Sequence, residues 1–181
     1  MELPNYTMID VKDFITFIEH PINQDKTFEL INGYIISMSS PSSNHQRISG
    51  YIARKLGNYL ENKQCEVFQD INVFLDDDVF RPDIIVGCDK SKMTDKGYEG
   101  IPEFIVEVIS KTTAQYDYSI KLSKYMKYVK EYWIVDMFAN QILTYINNGK
   151  TKVHYYTFFD KIEIFDTFID FSEISKLISN T

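Results

Sequence analysis

FRPDIIVG (residues 80–87) and PEFIVEVIS (residues 102–110) decide the reading of this chain, because each is an apolar run interrupted by acid. Side chains in a strand alternate faces. Arg81, Asp83 and Ile85 therefore share one face, with Phe80, Ile84 and Val86 on the other. In the second run Glu103, Ile105, Glu107 and Ile109 share a face, opposite Phe104, Val106, Val108 and Ser110. A carboxylate in such a strand is expensive to bury unless it is paired or binds a cation. Two of them, Asp83 and Glu107, on neighbouring strands suit a hard, oxygen-seeking ion such as Mg²⁺. For either acid alone, a strand-end position bonded to loop amides or to Arg81 is the simpler account. For the pair, the two accounts stand level.

Working outward, residues 7–19 carry apolar positions at helical spacing and predict a first helix ending before Pro21. FELINGYIISM reads as two strands around Asn32-Gly33, the strongest short hairpin signal. Ser42, Ser43 and Asn44 offer caps to a helix running to about Glu61. EVFQDINVFL predicts one strand, Asp76 to Asp78 an acidic turn, and Cys88 to Gly100 a polar loop. A helix from about Gln115 to Val129 follows, then a strand EYWIVD, a hairpin from QILTYIN to VHYYTF, and a C-terminal helix SEISKLI. The class is mixed α/β (α+β), a mixed sheet flanked by helices, with an N-terminal helix and hairpin.

The helix between the strands adds a base. On a wheel of about 100° per residue, Tyr118, Leu122, Tyr125, Met126 and Val129 form one stripe. Lys121 lies roughly 80° from its centre, at the border of core and solvent, where the ammonium can reach the sheet. It also follows Asp117 by four residues, so an ordinary helix ion pair accounts for it too. Lys111, Lys124, Lys127 and Lys130 read as a solvated face.

The 181 residues and 44% apolar content fit one domain, residues 1–181, with a real core. The net charge of −7 argues against a general nucleic-acid coat protein, since phosphate binding rests on Lys and Arg. No apolar run is long enough to span a membrane, and the N-terminus lacks a signal-peptide layout. Cys65 and Cys88 stand in no metal-like spacing, so a disulfide framework is not expected and a cytoplasmic setting is the default.

Arg81-Pro82-Asp83, Pro102 to Ser110, Asp117, Lys121, Tyr125 and Glu131 to Asp136 together resemble a bacterial family of restriction-endonuclease-like proteins, Uma2-like, within the PD-(D/E)XK nuclease superfamily. The likeness runs upstream through Phe28 to Gly33 and the Pro41 to Gln46 segment with His45, and covers roughly residues 5 to 160. It implies a restriction-endonuclease-like core with a central mixed sheet and helices on its faces. It also implies a Mg²⁺- or Mn²⁺-dependent endonuclease hydrolysing phosphodiester bonds, with DNA the expected substrate and a homodimer a reasonable assembly.

Within that likeness Asp83 and Glu107 would be the paired acids holding the metal, with the backbone carbonyl of Val108. Glu29 would complete the shell, although a solvated hairpin residue explains it as well. The superfamily's lysine two positions after the second acid is replaced by Ile109, and Lys121 is the natural substitute. His45 could approach the site, although an ordinary helix-start histidine is the blander account. Clustered tyrosines at Tyr116, Tyr118, Tyr125, Tyr128 and Tyr132 could stack on bases or pack a core. The alternative function is a catalytically inactive nuclease-fold module that binds nucleic acid or a protein, which Ile109 and the acidic charge favour.

Overall fold

The computed structural model describes residues 8–110 and 114–178. A six-stranded mixed sheet lies at the centre, with strand order β12-β11-β10-β9-β6-β3. Its strands are β3 (Glu66–Gln69), β6 (Ile84–Gly87), β9 (Phe104–Val108), β10 (Glu131–Asp136), β11 (Gln141–Asn147) and β12 (Thr151–Tyr156). Only β9 and β10 run parallel, and the helical segment at residues 114–125 connects them. Such a crossover is what a parallel pair requires.

The two faces of this sheet bury different partners. Ile84, Val86, Val106 and Trp133 pack under α2 (Ser43–Leu60) and α5 (Phe171–Ile178), through Ile48, Ile52, Leu56, Phe171 and Ile174. Ile85, Ile105, Ile109 and Ile134 face the other way, against Phe80, Tyr98, Tyr125 and Tyr132. The alternation expected for residues 84–86 and 103–109 thus holds, and it places Ile85 and Glu107 on one side.

A second sheet, ordered β2-β1-β5-β4-β8-β7, covers part of that side. It contains β1 (Phe28–Ile31), β2 (Tyr34–Ser37), β4 (Val73–Leu75), β5 (Asp78–Phe80), β7 (Met93–Thr94) and β8 (Gly97–Tyr98). The β1–β2 hairpin turns at Asn32 (φ 51°) and Gly33 (φ 78°), the positive pair that the Asn-Gly signal predicts. Helix α1 (Val11–Glu19) closes this sheet, capped by Asp10, whose carboxylate accepts from Asp13 N at 2.8 Å.

Several sequence expectations are corrected here. EVFQDINVFL is not one strand but β3 and β4 in different sheets, broken at Asp70 with φ 54°. FRPDIIVG likewise divides into β5 and β6, because Pro82 has no N–H to give a ladder. Asp78 does not sit in an exposed acidic turn: it is buried, accepting from Asn32 N at 2.7 Å and pairing with Lys124 Nζ at 2.5 Å. Lys124 therefore leaves the solvated face, while Lys111 lies outside the described residues. The Cys88 to Gly100 loop holds the β7–β8 hairpin.

A further hairpin, β13 (Lys161–Ile164) and β14 (Thr167–Asp170), has no expected counterpart; its turn carries Phe165 at φ 55° in place of a turn-forming residue. Cys65 and Cys88 form a disulfide, since the register Glu66↔Gly87 brings them opposite one another. That pairing removes the cysteine argument for a reducing compartment. No helix among the described residues is long and apolar enough to cross a membrane.

The helix expected over residues 115–129 differs most. It comprises α3 (Ala114–Tyr116), a π-turn over Asp117–Lys121, and α4 (Leu122–Tyr125). Its buried positions recur every four residues, at Asp117, Lys121, Tyr125 and Val129. A regular helix drifts about 40° per turn from a four-residue repeat. The wider π-turn, closing on one residue more than an α-turn, offsets that drift. Tyr118, Leu122 and Met126, expected at the centre of the stripe, are only half-buried.

Candidate active site

Asp83 and Glu107 meet because of the β6–β9 register. Ile84 pairs with Val106 and Ile85 with Ile105, so Asp83, just before β6, stands beside Glu107. The Asp83 carboxylate is held in place by Val108 N, which donates to its Oδ2 at 2.7 Å. Glu107 lies in the middle of β9 and is buried.

Lys121 closes the site from the helix. Its Nζ lies 2.9 Å from Glu29 Oε1, 3.0 Å from Glu107 Oε1 and 3.2 Å from Asp117 Oδ1. The side chain is 1% exposed, so the border position read from the wheel becomes full burial once the π-turn swings it inward. Glu107 takes a hydrogen bond from the ammonium, and Glu29 and Asp117 stand at ion-pair distance. Burial pulls the pKa of Lys121 down, yet Glu107, Glu29 and Asp117 outweigh it and hold the ammonium well above its ordinary value.

Two more contacts fix the acids. Tyr125 donates its hydroxyl to Glu107 Oε1 at 3.0 Å, and Arg81 N donates to Glu29 Oε1 at 2.8 Å. Glu29 is therefore a buried member of the cluster and not a solvated hairpin residue. Burial raises Glu107's pKa well above the carboxylate range; Lys121 opposes this, and the neighbouring Asp117, Asp83 and Glu29 add to it. Tyr132 donates its hydroxyl to the Asp117 carbonyl at 3.2 Å and steadies the π-turn.

His45 sits in the first turn of α2, where Ser42 caps the helix by accepting from His45 N at 3.2 Å. Its Nε2 lies 3.1 Å from Asp83 Oδ2, and the ring lines the cleft together with Val108. Burial works to lower its pKa, but Asp83 and the Val108 carbonyl raise it above the ordinary histidine value. Nδ1 is buried without a partner among the described residues.

These residues open on a cleft of about 440 Å³, lined also by Lys26, Gln46, Gln69 and Arg81. A larger cleft, about 850 Å³, lies elsewhere, beside Cys88, Lys92, Tyr98 and Tyr128, and contains none of these residues. Size alone therefore misplaces the site, and the buried charges mark it.

The structure brings Asp83, Glu107, Lys121 and Glu29, the residues expected from the sequence, close together. From the sequence, Asp117 has only an ion pair with Lys121, and Tyr125 belongs to the core stripe. The burial of both residues follows the period-four pattern, which a regular wheel does not give. Arg81 does not neutralise the strand acids through its guanidinium, which instead bonds Asp70 at 2.7 Å. Tyr125 and Tyr132 are fully buried and unavailable for base stacking.

Among the described residues, no three His, Cys, Asp or Glu side chains converge as a ready cage for an ion. The charge balance nevertheless fits a cation. Glu29, Glu107 and Asp117 surround one ammonium, and among the described residues Asp83 is paired with a histidine. The oxygen donors suit a hard divalent ion that keeps part of its water shell.

The chain is similar to known proteins over most of its length. Residues 13–173 match the Uma2 family, described as "Putative restriction endonuclease". The chain belongs to the Uma2 family. Two uncharacterised Synechocystis proteins are similar to it. One, sll1609, is 30% identical over 128 residues, covering 67% of this chain and 72% of that protein. The other, slr1290, is 25% identical over 155 residues, covering 82% of each. The crystal structure of "a putative nuclease belonging to DUF820" from Anabaena variabilis superposes with a TM-score of 0.76. It shares 16% identity over 93% of this chain and 98% of its own, and so shows the same fold. The expected mixed sheet with flanking helices is the Uma2 architecture seen here.

Proposed function

We propose that this Uma2 protein is a divalent-metal-dependent endonuclease that hydrolyses phosphodiester bonds in DNA. The observation that carries the reading is the placement of Asp83 beside Glu107 at the cleft, with Lys121 bound to Glu107 behind them. Asp83, Glu107 and the Val108 carbonyl would hold Mg²⁺ or Mn²⁺, with Glu29 behind. The ion would supply Lewis-acid polarisation of a phosphodiester oxygen and a more acidic water.

The chain's own residues do the rest. Lys121 opposes the protonation of Glu107 that burial favours, and Tyr125 fixes one of its oxygens. Val108 N and His45 orient Asp83. Arg81 and Lys26 border the cleft and provide cationic positions for flanking phosphates. Cutting both strands takes two such sites, which a homodimer would provide.

With Mg²⁺ or Mn²⁺, the purified protein should nick supercoiled plasmid. Asp83→Asn and Glu107→Gln should each lower the rate by about a hundredfold or more, as loss of a central electrostatic group does. Equal rates in variants and wild type would assign the cleavage to a contaminant and defeat the reading.

A second reading, an inactive nuclease-fold binding module, is favoured by one specific feature. Lys121 is enclosed by three carboxylates, and Ile109, where the superfamily has its lysine, packs into the core. DNA binding without cleavage under any divalent ion would select the module.

A further inference from the structure

We propose that His45 is a nitrogen ligand of the divalent ion, biasing the site from Mg²⁺ toward a first-row transition ion such as Mn²⁺. This inference rests on the metal-dependent reading above and adds a donor to it. It begins from what surrounds His45: Nε2 stands 3.1 Å from Asp83 Oδ2, and the ring shares one cleft with Asp83, Glu107 and Val108. All three residues put forward as oxygen ligands therefore border the same opening as His45.

Two atoms that bind one octahedral ion at about 2.1 Å, at right angles, lie roughly 3.0 Å apart. Nε2 and Asp83 Oδ2 already stand at that separation, so the ring can share an ion with Asp83 without leaving its place. The ring is well fixed there. It belongs to the first turn of α2, capped by Ser42, and its side chain is 9% exposed. When Nε2 gives its lone pair to an ion, the ring proton resides on Nδ1, which no described residue engages.

Lys121 is in no position to play this part, being a cation already enclosed by Glu29, Glu107 and Asp117. The inferred seat is two side chains and a backbone carbonyl, and Glu107 approaches it from the next strand. One oxygen of Glu107 is committed to Lys121 and Tyr125, which accords with the absence of a three-side-chain cage among the described residues. Mg²⁺ takes oxygen ligands and dehydrates reluctantly, whereas first-row ions accept imidazole. Mn²⁺ also tolerates carboxylate and carbonyl oxygens, so a mixed nitrogen and oxygen set suits it best.

The opposite role is physically distinct. If His45 were only a hydrogen-bond donor filling the seat, an ion would have to expel it, and removing the ring would tighten ion binding.

The test measures Mn²⁺ binding to the full chain by electron paramagnetic resonance, with Mg²⁺ as competitor, for wild type, His45→Gln and His45→Ala. Circular dichroism melts check that each variant is folded, and glutamine keeps much of the ring's bulk. Wild type should show nitrogen modulation in the pulsed spectrum of bound Mn²⁺, and His45→Gln should lose it. Removal of the ligand should raise the Mn²⁺ Kd by about tenfold or more while Mg²⁺ affinity changes far less. Modulation that persists in His45→Gln, unchanged or tighter Mn²⁺ binding, or equal losses for both ions would each overturn the inference. Wild type that binds neither ion would fell the metal-dependent reading as a whole. Ion binding indifferent to His45 fells this inference alone.

Discussion

Replacing Lys121 with methionine should cost more stability than any other single change at the site, and the cost should depend on pH. The ammonium makes three contacts between 2.9 and 3.2 Å, all to buried carboxylates. Removing one member of a buried ion cluster typically costs about 3–5 kcal/mol, because the remaining charges are left uncompensated. For a chain of this size that is a fall in Tm of roughly 6–20 °C.

The pH dependence follows from Glu107. An acid whose folded pKa lies above its usual 4.5 binds a proton in the folded state that the unfolded chain has released. Stability therefore falls as pH rises from about that value through the raised pKa. Without Lys121, the main group opposing that rise, the pKa of Glu107 climbs further and the loss steepens. Lys121's own raised pKa contributes stability that is present below its unfolded value and lost only in the alkaline range, above pH 8. The variant should thus lose less at pH 5, where the carboxylates take up protons, than at pH 8. Urea denaturation of both proteins at the two pH values measures this. A cost that is equal at both, or below about 1 kcal/mol, would mean the cluster is solvated and would refute the reasoning.

Tyr125→Phe removes one hydrogen bond to Glu107 and should cost about 1.5–3 kcal/mol, as bonds to charged groups do, measured by the same denaturation. Ser42→Ala removes the cap on α2 and should cost about 1 kcal/mol. It should also shift the His45 imidazole resonances, since the cap bonds His45 N. Reducing the Cys65–Cys88 disulfide, which closes a 23-residue separation, should lower stability by about 3 kcal/mol if the unfolded chain gains the corresponding loop entropy. Melts with and without reductant decide it.

The parts of the fold legible in the sequence were those fixed by local chemistry. Asn32-Gly33 announced its hairpin, Ser42 its helix, and alternation gave Ile85 and Glu107 their common face. What stayed hidden was set by partners distant along the chain. Register alone brought Cys65 opposite Cys88 and Asp83 beside Glu107. The breaks at Asp70 and Pro82 sent halves of two apparent strands to different sheets. At the site, the two strand acids could be phased from sequence, and Asp117 could be paired with Lys121 by its spacing. The full burial of that pair and the Tyr125 bond to Glu107 could not, because both depend on the π-turn and on contact with a distant strand.

The π-turn over Asp117–Lys121 also sets the chain's tolerance to length change. Deleting one residue within it would let an ordinary α-turn form, a local relief for the backbone. The same deletion would turn everything before it by about 100° relative to Tyr125 and Val129. Asp117 or Lys121 would then leave the cluster while the hydrophobic anchors stayed in place. The segment behaves as a spacer whose residue count, more than its composition, keeps the charged half of the helix in step with the apolar half.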